Sequence, residues 1–180
     1  MDKISSLDFD ASALAGLATS FGTLLEGAHD GRGRRVGVAC ARFNGSITLR
    51  LLGGALAALG EAGVARHDIT LAWAPGAYEL PMLAQGLIRS SAHVDAVIAL
   101  GAVVRGETTH YDLVAGECAR GLQDVQLRSG VPVVFGVLTT ENVEQALERS
   151  RPDSTNKGRE AAFTALEMVS LLSGALAPRS

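Results

Sequence analysis

The chain has 180 residues, of which 47% are apolar and 19% are charged, and its formal net charge at neutral pH is -3. This length suits one domain with a substantial core, and the composition is that of a globular protein, which excludes a disordered chain. A mildly acidic chain without a basic block argues against a nucleic-acid surface and against binding to anionic membranes. No apolar run approaches the roughly 18 residues that a transmembrane helix needs.

The N-terminus and the cysteines favour a cytoplasmic location. The first residues include Asp2, Asp8 and Asp10 and lack a basic region followed by an apolar run, so they do not resemble a signal peptide. Cys40 and Cys118 each stand alone inside an apolar segment. We interpret both as small core residues in a reducing compartment, and neither as half of a disulfide nor as a metal ligand.

Residues 1–33 are predicted to form an N-terminal arm that is distinct from a single domain at 34–180. Large apolar residues recur in the arm at helical spacing, namely Leu14, Leu17, Phe21, Leu24 and Leu25. The glycine-rich segment "EGAHDGRGR" that follows indicates a linker. The pattern therefore predicts a partly helical arm. It leaves open whether this arm packs on its own domain or on a neighbouring molecule.

From Arg35 onward, an apolar run, a loop and an amphipathic helix recur four times. Strands are predicted at 35–41, 68–74, 94–104 and 131–139, and helices at 46–63, 78–90, 109–128, just after Thr140, and at 157–172. Nearly continuous apolar strands that alternate with helices predict a parallel sheet covered on both faces. Right-handed crossovers then give a doubly wound, three-layer α/β/α sandwich around a flavodoxin-like four-stranded sheet.

Ligands in such a sheet bind beyond the carboxyl ends of the strands, so the four loops there form the candidate site. After the first strand, Phe43 is either a platform for a flat heterocycle or a ring tucked under the next helix, with Asn44 as a helix cap. After the second strand, Glu79 either accepts hydrogen bonds from a polyol or complements a helix dipole. Pro81 is tolerated only in the first turn of the helix that follows.

The loop after the third strand has the features of an anion site. Gly106 gives backbone freedom, and the amides of Glu107 and Thr108 are expected to point along the axis of a new helix. His110 has a side chain suited to proton transfer, although a lone histidine more often fills a surface or a core. Arg105 is interpreted as a solvated or paired cation. No dinucleotide or nucleoside-triphosphate phosphate motif is present.

After the fourth strand, the residue types allow both structural and binding roles. Phe135 lies inside the strand and is a core residue by default, while Thr139 and Thr140 are candidate caps of the short helix. Arg149 and Lys157, at a helix end and a helix start, are separate solvated charges or a joint phosphate site. The chemistry indicates a flat-ring site, a polyol acceptor, an anion pocket and a histidine, without defining a reaction.

Five stretches, in this order, resemble the 6,7-dimethyl-8-ribityllumazine synthase family, which performs the penultimate step of riboflavin formation. They are "ARFN" (41–44), "WAPGAYELP" (73–81), "ALGAVVRGETTHYDLV" (99–114), "VPVVFGVLTTENVEQALERS" (131–150) and "NKGREAAFTALEM" (156–168). The resemblance implies a condensation of 5-amino-6-ribitylaminouracil with 3,4-dihydroxy-2-butanone 4-phosphate that uses neither cofactor nor metal. It also implies a homopentamer, or a multiple of pentamers, with active sites between subunits and with riboflavin synthase as a possible partner.

The resemblance also implies roles for individual residues, by motif position. For the pyrimidine substrate, it implies ring stacking by Phe43, binding of the pyrimidine and its ribityl chain by Ala77, Tyr78 and Glu79, and backbone contacts from Ala102, Val103 and Val104. For the phosphate substrate, it implies phosphate binding by the amides of Glu107 and Thr108, proton transfer by His110, and a position near the phosphate for Lys157. Phe135 and Arg149 are implied to come from an adjacent subunit.

Several features depart from the family pattern. Ala74 replaces the usual valine, the arm is long, and "RSRPDSTNKG" (149–158) lacks the glycine-rich linker of sixty-subunit shells, so a pentamer is the simplest expectation. The alternative is a non-catalytic homologue that binds flavin or lumazine or builds a shell. The joint presence of His110, Arg149 and Lys157 argues against that alternative.

Overall fold

Four apolar segments pair into one parallel sheet. The computed structural model describes residues 11–17, 19–90, 93–174 and 176. Its strands are β1 (Val36–Ala41), β2 (Ile69–Ala74), β3 (Ala96–Val104) and β4 (Val133–Thr140). They lie in the order β2-β1-β3-β4, and every neighbouring pair is parallel. The four predicted strands are therefore confirmed, with their ends shifted by one or two residues.

Helices cover both faces of this sheet. They are α1 (Ala11–Gly16), α2 (Gly45–Glu61), α3 (Leu80–Arg89), α4 (His110–Ser129), α5 (Val143–Arg149) and α6 (Lys157–Ser173). Helices α2 and α6 bury apolar residues against one face of the sheet, and α3 and α4 bury theirs against the other. The predicted three-layer, flavodoxin-like sandwich is confirmed. Among the residues that the structure describes, no helix is both long and apolar enough to cross a bilayer.

Strand β3 shows why the predicted strands are almost continuously apolar. Ile98 and Leu100 pack in the core on the α2/α6 face, while Val97 and Ala99 pack in the core on the α3/α4 face. Successive side chains of a strand point to opposite faces, and here both faces are covered. An interior strand of this sheet therefore has no position for a solvated side chain.

Helices α2 and α6 approach each other so closely that only glycine fits at two positions. A Cβ atom on Gly158 of α6 would overlap the backbone carbonyl of Leu51 in α2. A Cβ atom on Gly54 of α2 would overlap the side chain of Asn156, which precedes α6. This contact fixes how α6 lies on α2, and hence the position of one outer layer.

Asn156 is the polar element of that helix contact. It is 1% exposed, and its Oδ1 caps α6 by accepting hydrogen bonds from the amides of Gly158 (2.8 Å) and Arg159 (3.2 Å). Its Nδ2 donates to the carbonyls of Arg151 (2.8 Å) and Arg50 (3.2 Å). All four hydrogen bonds of the amide are thus made, so its burial carries no unsatisfied polar group.

The arm is partly helical, as predicted, but its helix is shorter than the apolar spacing suggested. Helix α1 ends at Gly16, and Phe21, Leu24 and Leu25 lie outside any helix with their side chains exposed. Gly22 interrupts the helical pattern, and a short isolated helix is marginal in water without a surface to pack against. The apolar residues of the arm are therefore spaced as in a helix, but within the described residues they have no surface to pack against that would stabilise one.

The end of the arm packs on its own domain, which settles part of what the sequence left open. The amide of Gly31 donates to the carbonyl of Ala62 at 2.8 Å. The ring of His29 lies 4.9 Å from that of Phe163 in α6, and its Nε2 is 3.6 Å from Oε2 of Glu167. These contacts attach the linker to the outer surface of α6 and to the end of α2.

The two cysteines lie in the core, as predicted. Both cysteines are unpaired and buried, and burial raises the pKa of Cys40 to about 11 and that of Cys118 to about 12, as expected of inert core thiols. In α6, Met168 is 37% exposed, while the adjacent Val169 is buried in the core.

Replacement of Asn156 by alanine is expected to lower the free energy of unfolding by roughly 2–4 kcal/mol, because it leaves buried amides and carbonyls without partners. Asn142 is a matched control, since it caps α5 through the amide of Gln145 (2.9 Å) but is exposed. Asn142→Ala should cost only about 1 kcal/mol. Urea unfolding measures both, and equal losses would contradict the role given to burial.

Candidate active site

A cleft of about 690 Å³ opens at the carboxyl edge of the sheet, where the sequence predicted the site. It is lined by Phe43, Asn44, Pro75, Gly76, Ala77, Tyr78, Glu79, Ala102, Val103, Val104, Gly106, Thr108, His110, Tyr111, Leu113, Val114 and Glu117. The loops after β1, β2 and β3 all contribute, together with the first turns of α4. One chain therefore brings most of the predicted site residues together.

Strand β3 extends beyond its neighbour and leaves backbone groups open to the cleft. Its pairing with β1 ends at Cys40 opposite Leu100, whereas its pairing with β4 continues to Val104 opposite Thr140. The amide of Arg105 donates to the carbonyl of Thr140 at 2.8 Å. Because successive residues of a parallel strand direct their backbone groups to alternate sides, those of Val104 face away from β4 and toward the cleft.

Asn44 connects the loop after β1 to this extension of β3. Its Nδ2 donates to the carbonyl of Ala102 at 2.8 Å, and its backbone is left-handed, with φ 58° and ψ 40°. It stands at the N-cap position of α2, but its side chain makes no capping hydrogen bond. The alternative in which the side chain of Asn44 caps α2 is therefore wrong. The amide joins two site loops and does not cap the helix.

Phe43 presents its ring to solvent at the edge of the cleft. It is 72% exposed, and its backbone amide donates to the carbonyl of Pro75 at 3.1 Å. The alternative in which Phe43 tucks under α2 is therefore wrong. Tyr78, which lines the cleft from the loop after β2, is 58% exposed. Exposed rings beside a cleft are suited to stacking against a flat ligand.

The position of Glu79 is compatible with both roles that the sequence allowed. Its Oε2 accepts a hydrogen bond from the amide of Gly76 at 3.1 Å, which closes the 3₁₀ turn Ala77–Glu79 before α3. The side chain is exposed and lines the cleft, so the carboxylate keeps acceptor capacity for a ligand hydroxyl. Pro81 lies in the first turn of α3, as predicted.

The amides predicted to bind an anion lie in the loop before α4, because this helix begins later than expected. Helix α4 starts at His110, with Thr109 as its N-cap, so the amides of Glu107 and Thr108 belong to the loop and not to the helix. Within the described residues, neither amide donates to another protein group. His110 is exposed, and its backbone amide donates to Oγ1 of Thr108 at 3.4 Å.

Arg105 is a paired cation, as expected, and it does not line the cleft. Its Nε lies 2.8 Å from Oε2 of Glu141, and its Nη1 lies 3.2 Å from Oδ1 of Asp112. Its Cζ stands 4.0 Å from the centroid of the Tyr111 ring. The hydrogen bond to Glu141 raises the pKa of Arg105 above its ordinary value, opposed by desolvation and assisted by the charge of Asp112.

Four predicted site residues are not among those that line the cleft of their own chain, namely Glu107, Phe135, Arg149 and Lys157. Phe135 is 41% exposed on the edge strand β4, so the expectation that it is a core residue is wrong. Arg149, at the end of α5, donates from Nη1 to the carbonyl of Gln145 at 3.3 Å. Lys157 forms an ion pair with Glu160 in the first turn of α6. The cleft in one chain therefore holds only part of the predicted site.

The residues after β4 correct one further prediction. Thr139 and Thr140 belong to the strand and do not cap α5, because the chain continues to Asn142 before the helix begins. Oγ1 of Thr140 instead donates to the carbonyl of Asn142 at 2.9 Å. Glu141 precedes the helix, where its carboxylate is free to pair with Arg105.

Helix α4 supplies lining residues that the loop-based reasoning missed. They are Tyr111, Leu113, Val114 and Glu117, and all but Tyr111 follow His110 at intervals of three, four and seven residues. This spacing places them on one helical face with the histidine, which the sequence could have shown. In the part of the chain that the structure describes, no cluster of histidine, cysteine or carboxylate side chains could hold a metal ion.

Comparison with known families adds one finding to this geometry. A family model described as 6,7-dimethyl-8-ribityllumazine synthase matches residues 33–173. The match covers well over half of the chain and includes all four loops at the carboxyl edge.

Two variants of Asn44 should separate the effect of its side chain from that of its backbone. Asn44→Gly and Asn44→Ala both remove the hydrogen bond to Ala102, but only alanine is strained at a positive φ. The alanine variant is expected to be less stable than the glycine variant by about 1 kcal/mol in urea unfolding. Ser46→Ala, at an exposed position in the next turn, is the control. Equal stability of the two Asn44 variants would count against the strain.

Proposed function

The chain belongs to the 6,7-dimethyl-8-ribityllumazine synthase family, and from this we propose that it is a lumazine synthase. It joins 5-amino-6-ribitylaminouracil to 3,4-dihydroxy-2-butanone 4-phosphate, giving 6,7-dimethyl-8-ribityllumazine, inorganic phosphate and water. The observation that carries the proposal is the cleft itself, since a stacking ring, an open strand edge, a carboxylate, a loop with free amides and a histidine meet there.

One side of the cleft suits the pyrimidine and its ribityl chain. The exposed ring of Phe43 gives the uracil a stacking surface, and the open backbone of Val104 offers a donor and an acceptor to its polar edge. Ala102 and Val103, which the resemblance assigns to the pyrimidine, line the same wall. Glu79, with Ala77 and Tyr78 beside it, accepts hydrogen bonds from the ribityl hydroxyls. The hydrogen bond from Gly76 to Glu79 holds that carboxylate in place.

The opposite side suits the phosphorylated ketone. The amides of Glu107 and Thr108 lie beside the N-terminus of α4, and amides at such a place favour a phosphate dianion. His110, in the first turn of that helix, then lies next to the bound phosphate substrate. A histidine can give and take protons near neutral pH, which this chemistry requires.

The reaction needs positioning and proton transfer more than a reactive group. The amine of the pyrimidine adds to the ketone carbonyl, and loss of water from the adduct gives an imine. Removal of a proton from the neighbouring carbon then lets phosphate leave, and ring closure releases a second water. His110 supplies and accepts these protons, which is worth roughly 10²–10⁴-fold in rate. Holding both substrates together in one cleft supplies much of the remainder.

We place each complete site between two subunits of a homopentamer, or of a multiple of pentamers. Neither Phe135 nor Arg149 reaches the cleft of its own chain, and both are exposed. A neighbouring subunit that presents them would close the uracil between two rings and add a guanidinium to the phosphate site. Lys157 is assigned to the same phosphate region. Exposed apolar residues such as Leu113 and Trp73 are consistent with surfaces covered by neighbours.

The reaction is tested directly by incubating the purified protein with both substrates and following the fluorescence of the lumazine product. Product should form faster than in the same mixture without protein, and not at all when either substrate is omitted. Formation at the spontaneous rate only would refute the proposed function and would favour the non-catalytic alternative.

The two charged site residues should affect different kinetic constants. His110→Ala is expected to lower kcat by about 10²-fold, with little change in either KM, because it removes proton transfer. Arg149→Ala is expected to raise KM for the butanone phosphate by roughly 10- to 100-fold, since it removes a charged hydrogen bond. Steady-state kinetics with each substrate varied in turn measures both. Arg151→Ala, two residues from Arg149 and also exposed, is the control.

Co-expression of the same two variants, each with its own affinity tag, tests the shared site. If His110 and Arg149 of one site come from different subunits, mixed assemblies contain intact sites, about a quarter of the total at equal mixing. Activity at a low concentration of the butanone phosphate should then exceed that of either variant alone. Mixed assemblies that show only the average of the two variants would place both residues in one subunit.

A further inference from the structure

Arg105 occupies a position from which one side chain controls the whole loop of the proposed anion site. It is the first residue after β3, and its amide is fixed by the 2.8 Å hydrogen bond to the carbonyl of Thr140. The loop that follows, residues 106–109, carries the free amides and leads directly into His110. We propose that Arg105 is a positioning residue for the condensation proposed above, on which this inference rests, and that it sets the position of His110.

The guanidinium of Arg105 reaches both segments that adjoin the loop. Its Nη1 is 3.2 Å from Oδ1 of Asp112, two residues beyond His110 in the first turn of α4. Its Nε is 2.8 Å from Oε2 of Glu141, in the connection between β4 and α5. The side chain thus closes the segment 106–111 into a ring and holds that ring against a second element.

The residue directly after His110 is held by the same group. The guanidinium carbon lies 4.0 Å from the centroid of the Tyr111 ring, a cation–π contact, and Tyr111 itself lines the cleft. His110 is therefore followed by two consecutive residues that both contact Arg105. A rotation of the first turn of α4 would break these contacts, so they restrict where the imidazole can lie.

The loop has few other restraints. Besides the contacts of Arg105, the described hydrogen bonds within it are the 3.4 Å bond from the amide of His110 to Oγ1 of Thr108 and the bonds of the first α4 turn to the carbonyl of Thr109. Gly106 has no neighbouring atom within 4 Å of a Cβ position. Without Arg105, the loop would be held mainly at its two ends.

Arginine is the side chain that this geometry requires. The two carboxylates lie on different elements and use different nitrogen atoms, while the flat face of the guanidinium lies over the tyrosine ring. A lysine ammonium is a single charge without a planar face, so it cannot make all three contacts at once. The side chain of Arg105 is 38% exposed, and its partners are more exposed still, so these pairs add little to global stability.

Arg105→Ala should therefore act on catalysis without unfolding the protein. We expect kcat to fall roughly 10-fold, because a small displacement of a reacting group has a large effect on rate. KM for the ribitylaminouracil should change by less than about twofold, since the pyrimidine side of the cleft is untouched. Arg105→Lys should give an intermediate kcat. The control is Arg128→Ala, which removes an exposed ion pair with Asp124 (2.8 Å) elsewhere on α4.

The effect must depend on His110 if Arg105 acts through it. In a protein that already carries His110→Ala, the further change Arg105→Ala should lower kcat by less than about twofold. An undiminished 10-fold loss in that background, or an Arg105→Ala variant with the kcat of Arg128→Ala, overturns the inference.

Hydrogen–deuterium exchange gives a result that does not depend on the reaction. Amides in peptides covering 106–111 should exchange faster in Arg105→Ala than in wild type or Arg128→Ala, while peptides from β3 should not change. If wild type makes no lumazine, the proposed function fails, and this measurement still decides whether Arg105 orders the loop. Unchanged exchange at 106–111 would show that it does not.

Discussion

The unequal pairing of β3 determines the site. On one side this strand is paired with β1 only as far as Leu100, while on the other side β4 accompanies it to Val104. The sheet therefore has a step at its carboxyl edge. Asn44 covers the first open carbonyl of that step, and the cleft begins beyond it. A longer β1 would fill the place where we put the uracil.

The contacts that stabilise the fold and the groups of the candidate site lie in different parts of the molecule. The layer of α2 and α6 is fixed by glycine contacts and by the buried, fully bonded Asn156, none of which touches the cleft. The groups of the candidate site are mostly exposed and lie on loops, where hydrogen bonds such as that of Gly76 to Glu79 give local order. Such a division lets loops carry reactive groups whose arrangement contributes little to folding.

The fold was largely predictable from the sequence, because burial on both faces imposes apolar runs on β1 and β3 that no loop would carry. The place of the site followed from the same parallel order. The burial of individual side chains could not be predicted, because it depends on which elements pack next to each residue in the folded chain. Phe43 and Phe135 are both aromatic residues in or next to an apolar strand, yet both are exposed. Nothing local distinguishes them from core rings, since the difference lies in which layer covers them.

Family resemblance is the source of the proposed reaction and of the proposed residue roles, which periodicity and spacing did not provide. Prediction from the sequence was weakest for polar side chains that could bind any of several partners. The amide of Asn44 binds a strand carbonyl and not its own helix, and Arg105 gathers two carboxylates that are 29 residues apart in the chain (Asp112 and Glu141). Contacts of this kind depend on the folded loops and leave no pattern in a single sequence.

The attachment of the linker has a practical consequence for anyone who extends this chain. His29 and Gly31 bind it to α6 and to the end of α2, on the sheet face opposite α3 and α4. The linker therefore meets the domain on the sheet face opposite α4, the helix that carries His110. A label attached to this linker would lie on the far side of the sheet from that helix.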